Sequence, residues 1–173
     1  MIVLGVDPGT RITGYGVVDG GDRGRPVLIE CGVIRPASRS LPRRLLEILE
    51  GLDGVIERTR PDVLCVEGVF YGRNAQTTLK LGQARGAVML AAARRGMSVT
   101  EYPPAEVKNV VVGSGRAGKR QVALMVQKHL ALAEPPAPED AADGVALALC
   151  HLFQSGLTAA ASKGRGAGRK GID

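Results

Sequence analysis

The stretch DVLCVE, residues 62–67, sets the tightest limit on what this chain can fold into. Its middle positions are apolar without alternation, so as a strand it must be covered on both faces. A strand of that kind needs a sheet with a layer of helices on each side. The neighbouring sequence supplies them. Pro42 opens a helical stretch to about Thr59, with Leu45, Leu46, Leu49, Leu52, Val55 and Ile56 at helical spacing, and Pro61 ends it. Residues 74–95 read as a long helix carrying Leu79, Leu81, Val88, Met89 and Leu90, with Gly82, Ala84 and Gly86 small enough for close helix packing. Residues 97–102 read as a short strand, followed by helices at about 104–112, 118–132 and 138–155.

Ahead of these, residues 1–7 and 14–19 read as two strands joined by a glycine-containing turn, and residues 26–34 as a third. Three consecutive strands, then strands alternating with helices, imply an α/β protein. Its mixed sheet has an antiparallel three-strand meander plus parallel strands, flanked by helices on both faces. In such sheets chemistry gathers at strand ends.

Composition narrows the class. The 173 residues fit one domain, and 45% hydrophobic residues suffice for a core. With no Trp and only 3% aromatics, that core must be built from Val, Leu, Ile and Ala. No apolar run is long enough to cross a membrane, and no basic segment precedes the first apolar stretch as in a secretory signal. Cys31, Cys65 and Cys150 lie in apolar sequence and read as buried thiols of a cytoplasmic protein. The net charge of +6 favours a polyanionic partner, but half of it lies in the segment Lys163–Asp173, so charge alone is weak evidence. The expected organisation is a domain over residues 1–157 and a basic, Gly-rich, disordered tail over 158–173.

Asp7 and Glu67 share a context: each ends an apolar run and precedes a glycine-containing turn, in VDPGT and VEGVF. Singly, each could be a turn cap. If their strands are neighbours, the two carboxylates meet at one edge of the sheet, and one takes up a proton unless a cation lies between them. In PAPEDAADGVALAL, residues 136–149, acids suit a helix N-terminus, which accounts for Glu139 and Asp140. It accounts less well for Asp143, three residues from Asp140 on one helical face, with alanines between them and an apolar run after them. Asp7, Glu67, Asp140 and Asp143 would converge into an all-oxygen site suited to Mg²⁺ or Mn²⁺. Four carboxylates match a site for two ions that hydrolyses phosphodiesters without a protein nucleophile.

The segments GVDPGTRITGYGVV, VEGVFYGRNA, LKLGQARGAV, VKNVVVGSGRAGKRQV and EDAADGVALAL, in this order over about residues 1–155, resemble the RuvC family of Holliday-junction resolvases. The resemblance implies a ribonuclease H-like fold and a homodimer that cuts four-way DNA junctions by paired, symmetric nicks in recombination and repair, alongside a branch-migration motor. The family's four acidic ligands fall on Asp7, Glu67, Asp140 and Asp143. Two positions depart from the common pattern: Gly68 stands where many members have Gln, and the third acid, here Asp140, is sometimes His.

On the DNA side, the resemblance implies that Phe70 stacks on bases opened at the junction centre, with Tyr71 beside it, and that Lys108 and Lys119 contact phosphates. Arg73, Lys80, Arg116 and Arg120 are further basic candidates, each of which could equally be a solvated surface charge. The stretch GSGRAGKR, residues 113–120, mimics a phosphate loop, but Arg120 stands where Ser or Thr should follow the lysine. It reads as a flexible basic loop near DNA. Two other classes compete with a nuclease. An actin-like or sugar-kinase-like ATPase also begins with a strand, Asp and a Gly-Thr turn, but pairs two related domains. A non-catalytic DNA-binding module would be expected to have lost the acids.

Overall fold

The computed structural model of the chain describes residues 1–21, 24–68 and 75–166, with side chains described as far as Gly156. Strands β1 (Ile2–Asp7), β2 (Thr13–Asp19) and β3 (Val27–Ile34) are followed by helix α1 (Leu41–Thr59), β4 (Val63–Glu67), α2 (Ala75–Arg94), β5 (Ser98–Tyr102), α3 (Pro104–Val112), α4 (Lys119–His129) and α5 (Glu139–Gly166). One five-stranded sheet has the order β3-β2-β1-β4-β5. The β1–β2 and β2–β3 pairs are antiparallel, and β1–β4 and β4–β5 are parallel. This is the mixed sheet that the strand and helix order implies.

Residue parity divides the core into two layers. Val3, Val18, Val63 and Cys65 point toward α3, α4 and α5, whereas Leu4, Val6, Tyr15, Val17, Leu64 and Val66 point toward α1 and α2. β4 is therefore buried on both faces, as its unbroken apolar run requires. Asp7 has the parity of Val3 and Glu67 that of Val63 and Cys65, so both carboxylates leave the sheet toward α5.

Helix α5 reaches the sheet because glycines clear its path. Gly5 on β1 and Gly14 and Gly16 on β2 face it without side chains, and Gly144 does the same from the helix. A Cβ on Gly16 would stand 2.6 Å from the Val145 Cα, and one on Gly144 2.6 Å from the Tyr15 Cα, closer than carbon atoms pack. Ala141 and Ala142, near the start of the same helix, are buried as well.

Three local expectations are corrected. On α1 the core face runs through Ile48, Leu52, Val55, Ile56 and Thr59, while Leu46 is exposed, because the buried stripe lies half a turn away from it. On α2 the core face is nearly all small, made of Ala84, Ala87, Val88, Ala91 and Ala92, while Leu79, Met89 and Leu90 point to solvent. Close approach to the sheet and to α1 leaves room only for short side chains there. Helix α5 continues to Gly166 rather than ending at about 155, since LTAAAS, residues 157–162, carries three alanines, the strongest helix formers.

Candidate metal centre

The site is assembled from two strand ends and one helix start. Val6 and Val66 are partners in the parallel β1–β4 register, so Asp7 and Glu67 follow side by side. The first turn of α5, pressed onto β1 and β2, brings Asp140 and Asp143 to the same place. Asp7, Asp140 and Asp143 each offer a carboxylate oxygen, and these oxygens lie within 4.8 Å of one another. Glu67 stands outside that trio, beside Asp7 on the neighbouring strand and close enough for its charge to raise Asp7. The four acids chosen from the sequence thus meet, with Asp7 at the centre and Glu67 at the margin.

Charge makes the cluster costly without a cation. Asp7 is pushed up to about 7, first by burial, then by Glu67 and Asp143, with Lys119 pulling the other way. Burial also raises Glu67, and Asp143 adds to the shift, while Lys119 and Lys108 oppose it. Lys119, the first residue of α4, holds its Nζ 2.9 Å from Asp143 Oδ2, and this bond raises its own pKa. A crowded set of hard oxygen donors, one of which retains a proton near neutrality, fits a divalent cation. His151 is engaged with the Tyr102 hydroxyl at 2.9 Å and His129 with the Val111 carbonyl at 2.9 Å, so neither joins the acids.

The basic candidates divide. Lys119 and Lys108 lie near enough to the acids to act on them electrostatically. Arg116 is exposed on the α3–α4 connector and Arg120 in the first turn of α4. That connector is anchored rather than flexible: Ala117 is buried, Ala117 N–H donates to Ser114 O at 3.1 Å, and the Gln121 side chain caps Gly118 N–H at 2.9 Å. It joins helix to helix, whereas a phosphate loop joins strand to helix. Lys80 lines a cleft of about 360 Å³ with Arg11, Ile12 and Thr77, between the DPGT turn and α2. Phe70, Tyr71 and Arg73 lie outside the described residues.

Sequence reasoning missed Arg85. Its side chain is only 11% exposed, its Nη1 donates to the Glu67 main-chain carbonyl at 3.3 Å, and it ion-pairs with Glu101 on β5. The signal was a lone arginine amid the small residues of LGQARGAV.

The family model for "Crossover junction endodeoxyribonuclease RuvC" matches residues 3–151. The chain belongs to the RuvC family. A RuvC from Pelotomaculum thermopropionicum is 50% identical over 152 residues, covering 87% of this chain and 92% of that protein. One from Parafrankia sp. is 52% identical over 155 residues, covering 89% and 87%. Among solved structures, T. thermophilus RuvC in complex with Holliday junction substrate superposes with a TM-score of 0.85 at 36% identity, covering 91% of this chain and 96% of that one. The mixed sheet with helices on both faces is accordingly the ribonuclease H-like arrangement of RuvC structures, and the chain is a crossover junction endodeoxyribonuclease of a divalent-metal-dependent family. No helix among the described residues is long and apolar enough to cross a membrane.

Proposed function

We propose that this RuvC-family chain resolves four-way DNA junctions by paired symmetric nicks, using Mg²⁺ or Mn²⁺ held by Asp7, Glu67, Asp140 and Asp143. The convergence of Asp7, Asp140 and Asp143 at one sheet end, with Glu67 against Asp7, carries this reading. Four-way DNA as substrate is supported by the T. thermophilus relative, whose structure holds a Holliday junction. A pair of ions in such a set supplies an activated water and stabilises the leaving oxygen of a phosphodiester.

The chain's own groups supply placement and charge. Asp7 and Glu67 sit on strand ends fixed by the parallel ladder, so their oxygens have little freedom. Asp140 and Asp143 are one helical turn apart on a helix in backbone contact with the sheet. Lys108 and Lys119 place positive charge at the rim, where a DNA phosphate approaching the acids needs it; such contacts make binding weaken as salt rises. Lys80, Arg116 and Arg120 extend this basic margin, and Phe70, Tyr71 and Arg73 belong to the segment after β4 that would meet the junction centre.

The nuclease unit spans residues 1–157 and works as a homodimer, so that one junction meets two sites. Helix α2 is the proposed interface. Its outer face presents exposed Leu79, Met89 and Leu90, while nothing lies within 4 Å of where a Cβ would sit on Gly82 or Gly86. Small residues flanked by apolar ones let two such helices approach closely.

The test is cleavage of a labelled synthetic four-way junction beside a linear duplex of the same sequence, with Mg²⁺, Mn²⁺ or EDTA. Paired nicks confined to the junction and abolished by EDTA are expected. Tight junction binding without cleavage in either metal, across several junction core sequences, would mean a binding module instead.

A further inference from the structure

We propose that Arg85 is a positioning residue: by bridging the Glu67 carbonyl and the Glu101 carboxylate, it fixes the end of β4 and with it the Glu67 side chain as a metal ligand. The inference rests on the reading of Glu67 as a ligand given above.

The argument starts from the ladder. In a parallel pair, each residue facing the neighbouring strand accepts from the N–H one position beyond its register partner. Gly68 N–H bonds the Tyr102 carbonyl at 2.8 Å, so Gly68 faces β5 and Glu67 faces β1. Val66 pairs with Val6, and continuing that register sets Glu67 opposite Asp7. The donor due at the Glu67 carbonyl is therefore the main-chain N–H of residue 8. Residue 8 is proline and has none.

A carbonyl left bare at this depth costs free energy, and it sits on the residue whose carboxyl must be held still. Arg85 fills the gap from α2, the layer on the opposite side of the sheet from the acids, with Nη1 at 3.3 Å from the carbonyl oxygen. Its other arm ion-pairs with Glu101 on β5, so one planar guanidinium ties α2, β4 and β5 together. The charge sits behind the strand, so it orients Glu67 through the main chain while leaving the carboxyl oxygens free. Supporting contacts of this kind to a metal ligand are worth about 10–100-fold in metal affinity.

The test measures Mn²⁺ binding by titration calorimetry in the absence of DNA, with junction binding in EDTA and thermal unfolding recorded on the same proteins. Arg85→Met is expected to weaken Mn²⁺ about tenfold, while junction affinity in EDTA stays within a factor of about two. Arg85→Lys should fall between Arg85→Met and the parent, because an ammonium cannot span both partners. Glu101→Gln should weaken Mn²⁺ less than Arg85→Met, and the double variant should be no worse than Arg85→Met. Glu101 is half-exposed, so Glu101→Gln should fold even if Arg85→Met does not, and with Arg85→Lys it then decides the matter. Variants that unfold at lower temperature yet bind Mn²⁺ like the parent at 10 °C would reduce Arg85 to a structural role and overturn the proposal. Glu67→Gln is the control. If it binds Mn²⁺ like the parent, Glu67 is not a ligand and the reading beneath this one fails first.

Discussion

Asp7 and Glu67 end two adjacent parallel strands in one register, and both carboxyls leave the sheet on the side of α5. Burial, and then the charges of Glu67 and Asp143, push Asp7 up to about 7, so it holds its proton to near neutrality. In the unfolded chain the same group titrates at 3.8. The folded, metal-free protein thus binds this proton more tightly than the unfolded one does. Its stability falls as pH rises from about 4 through about 7, and the penalty is complete above that. Thermal unfolding in EDTA should show this decline over that window. Divalent ions should reverse it.

A metal ion must expel the Asp7 proton. Mn²⁺ affinity should therefore rise about tenfold per pH unit below pH 7 and level off above it. Calorimetric titration from pH 5.5 to 8 checks this. A flat profile below pH 7 would show that Asp7 is already ionised in the metal-free protein.

Asp7→Asn removes the central ligand and one charge of a repelling set. Cleavage should fall by about a thousandfold or more, since charge stabilisation by bound metal is worth several kcal/mol. Junction binding in EDTA should persist. At pH 8 without metal the variant should melt above the parent, by about 2–4 °C for each kcal/mol of relieved repulsion. A variant cleaving at the parent's rate would remove Asp7 from the site.

Gly5→Ala tests the contact between α5 and the sheet. The new methyl would lie 2.6 Å from the Ala148 main-chain nitrogen, so the helix must lift. A loss of about 1–3 kcal/mol in denaturant unfolding is expected, along with weakened Mn²⁺ binding as Asp140 and Asp143 withdraw. Unchanged metal affinity in a folded variant would mean that the acids tolerate this displacement.

Leu90→Glu places a charge on the outer face of α2, where Leu90 is 58% exposed. It touches no part of the acid cluster. Sedimentation analysis should show a monomer where the parent is a dimer, and junction products should shift from paired to single nicks. A variant that remains a dimer would move the interface elsewhere.

The elements were legible because prolines and glycines punctuate them and the strand runs are unbroken: Pro42 and Pro61 bracket α1, and DVLCVE could only be an interior strand. Asp7 and Glu67 were legible for a related reason, because a carboxylate closing an apolar run emerges at a strand end, and Asp143 because a helix N-terminus accounts for it poorly. The burial of α2 was not, because its leucines draw the eye while its alanines do the packing. Arg85 was hidden for a different reason. Its partner is a main-chain carbonyl orphaned by Pro8, a relation between β1 and β4 that exists only once the register is known.

The bare glycine face between α5 and β1–β2 has one more effect. Elsewhere two layers are held apart by side chains that can hop between rotamers, so their spacing is a time average. Here main chain rests on main chain, and the spacing is a hard stop set by atomic radii. Asp140 and Asp143 thus ride on a joint with little slack. Changes in the volume of distant core residues can soften or tighten the rest of the protein while the reach from α5 to Asp7 stays the same.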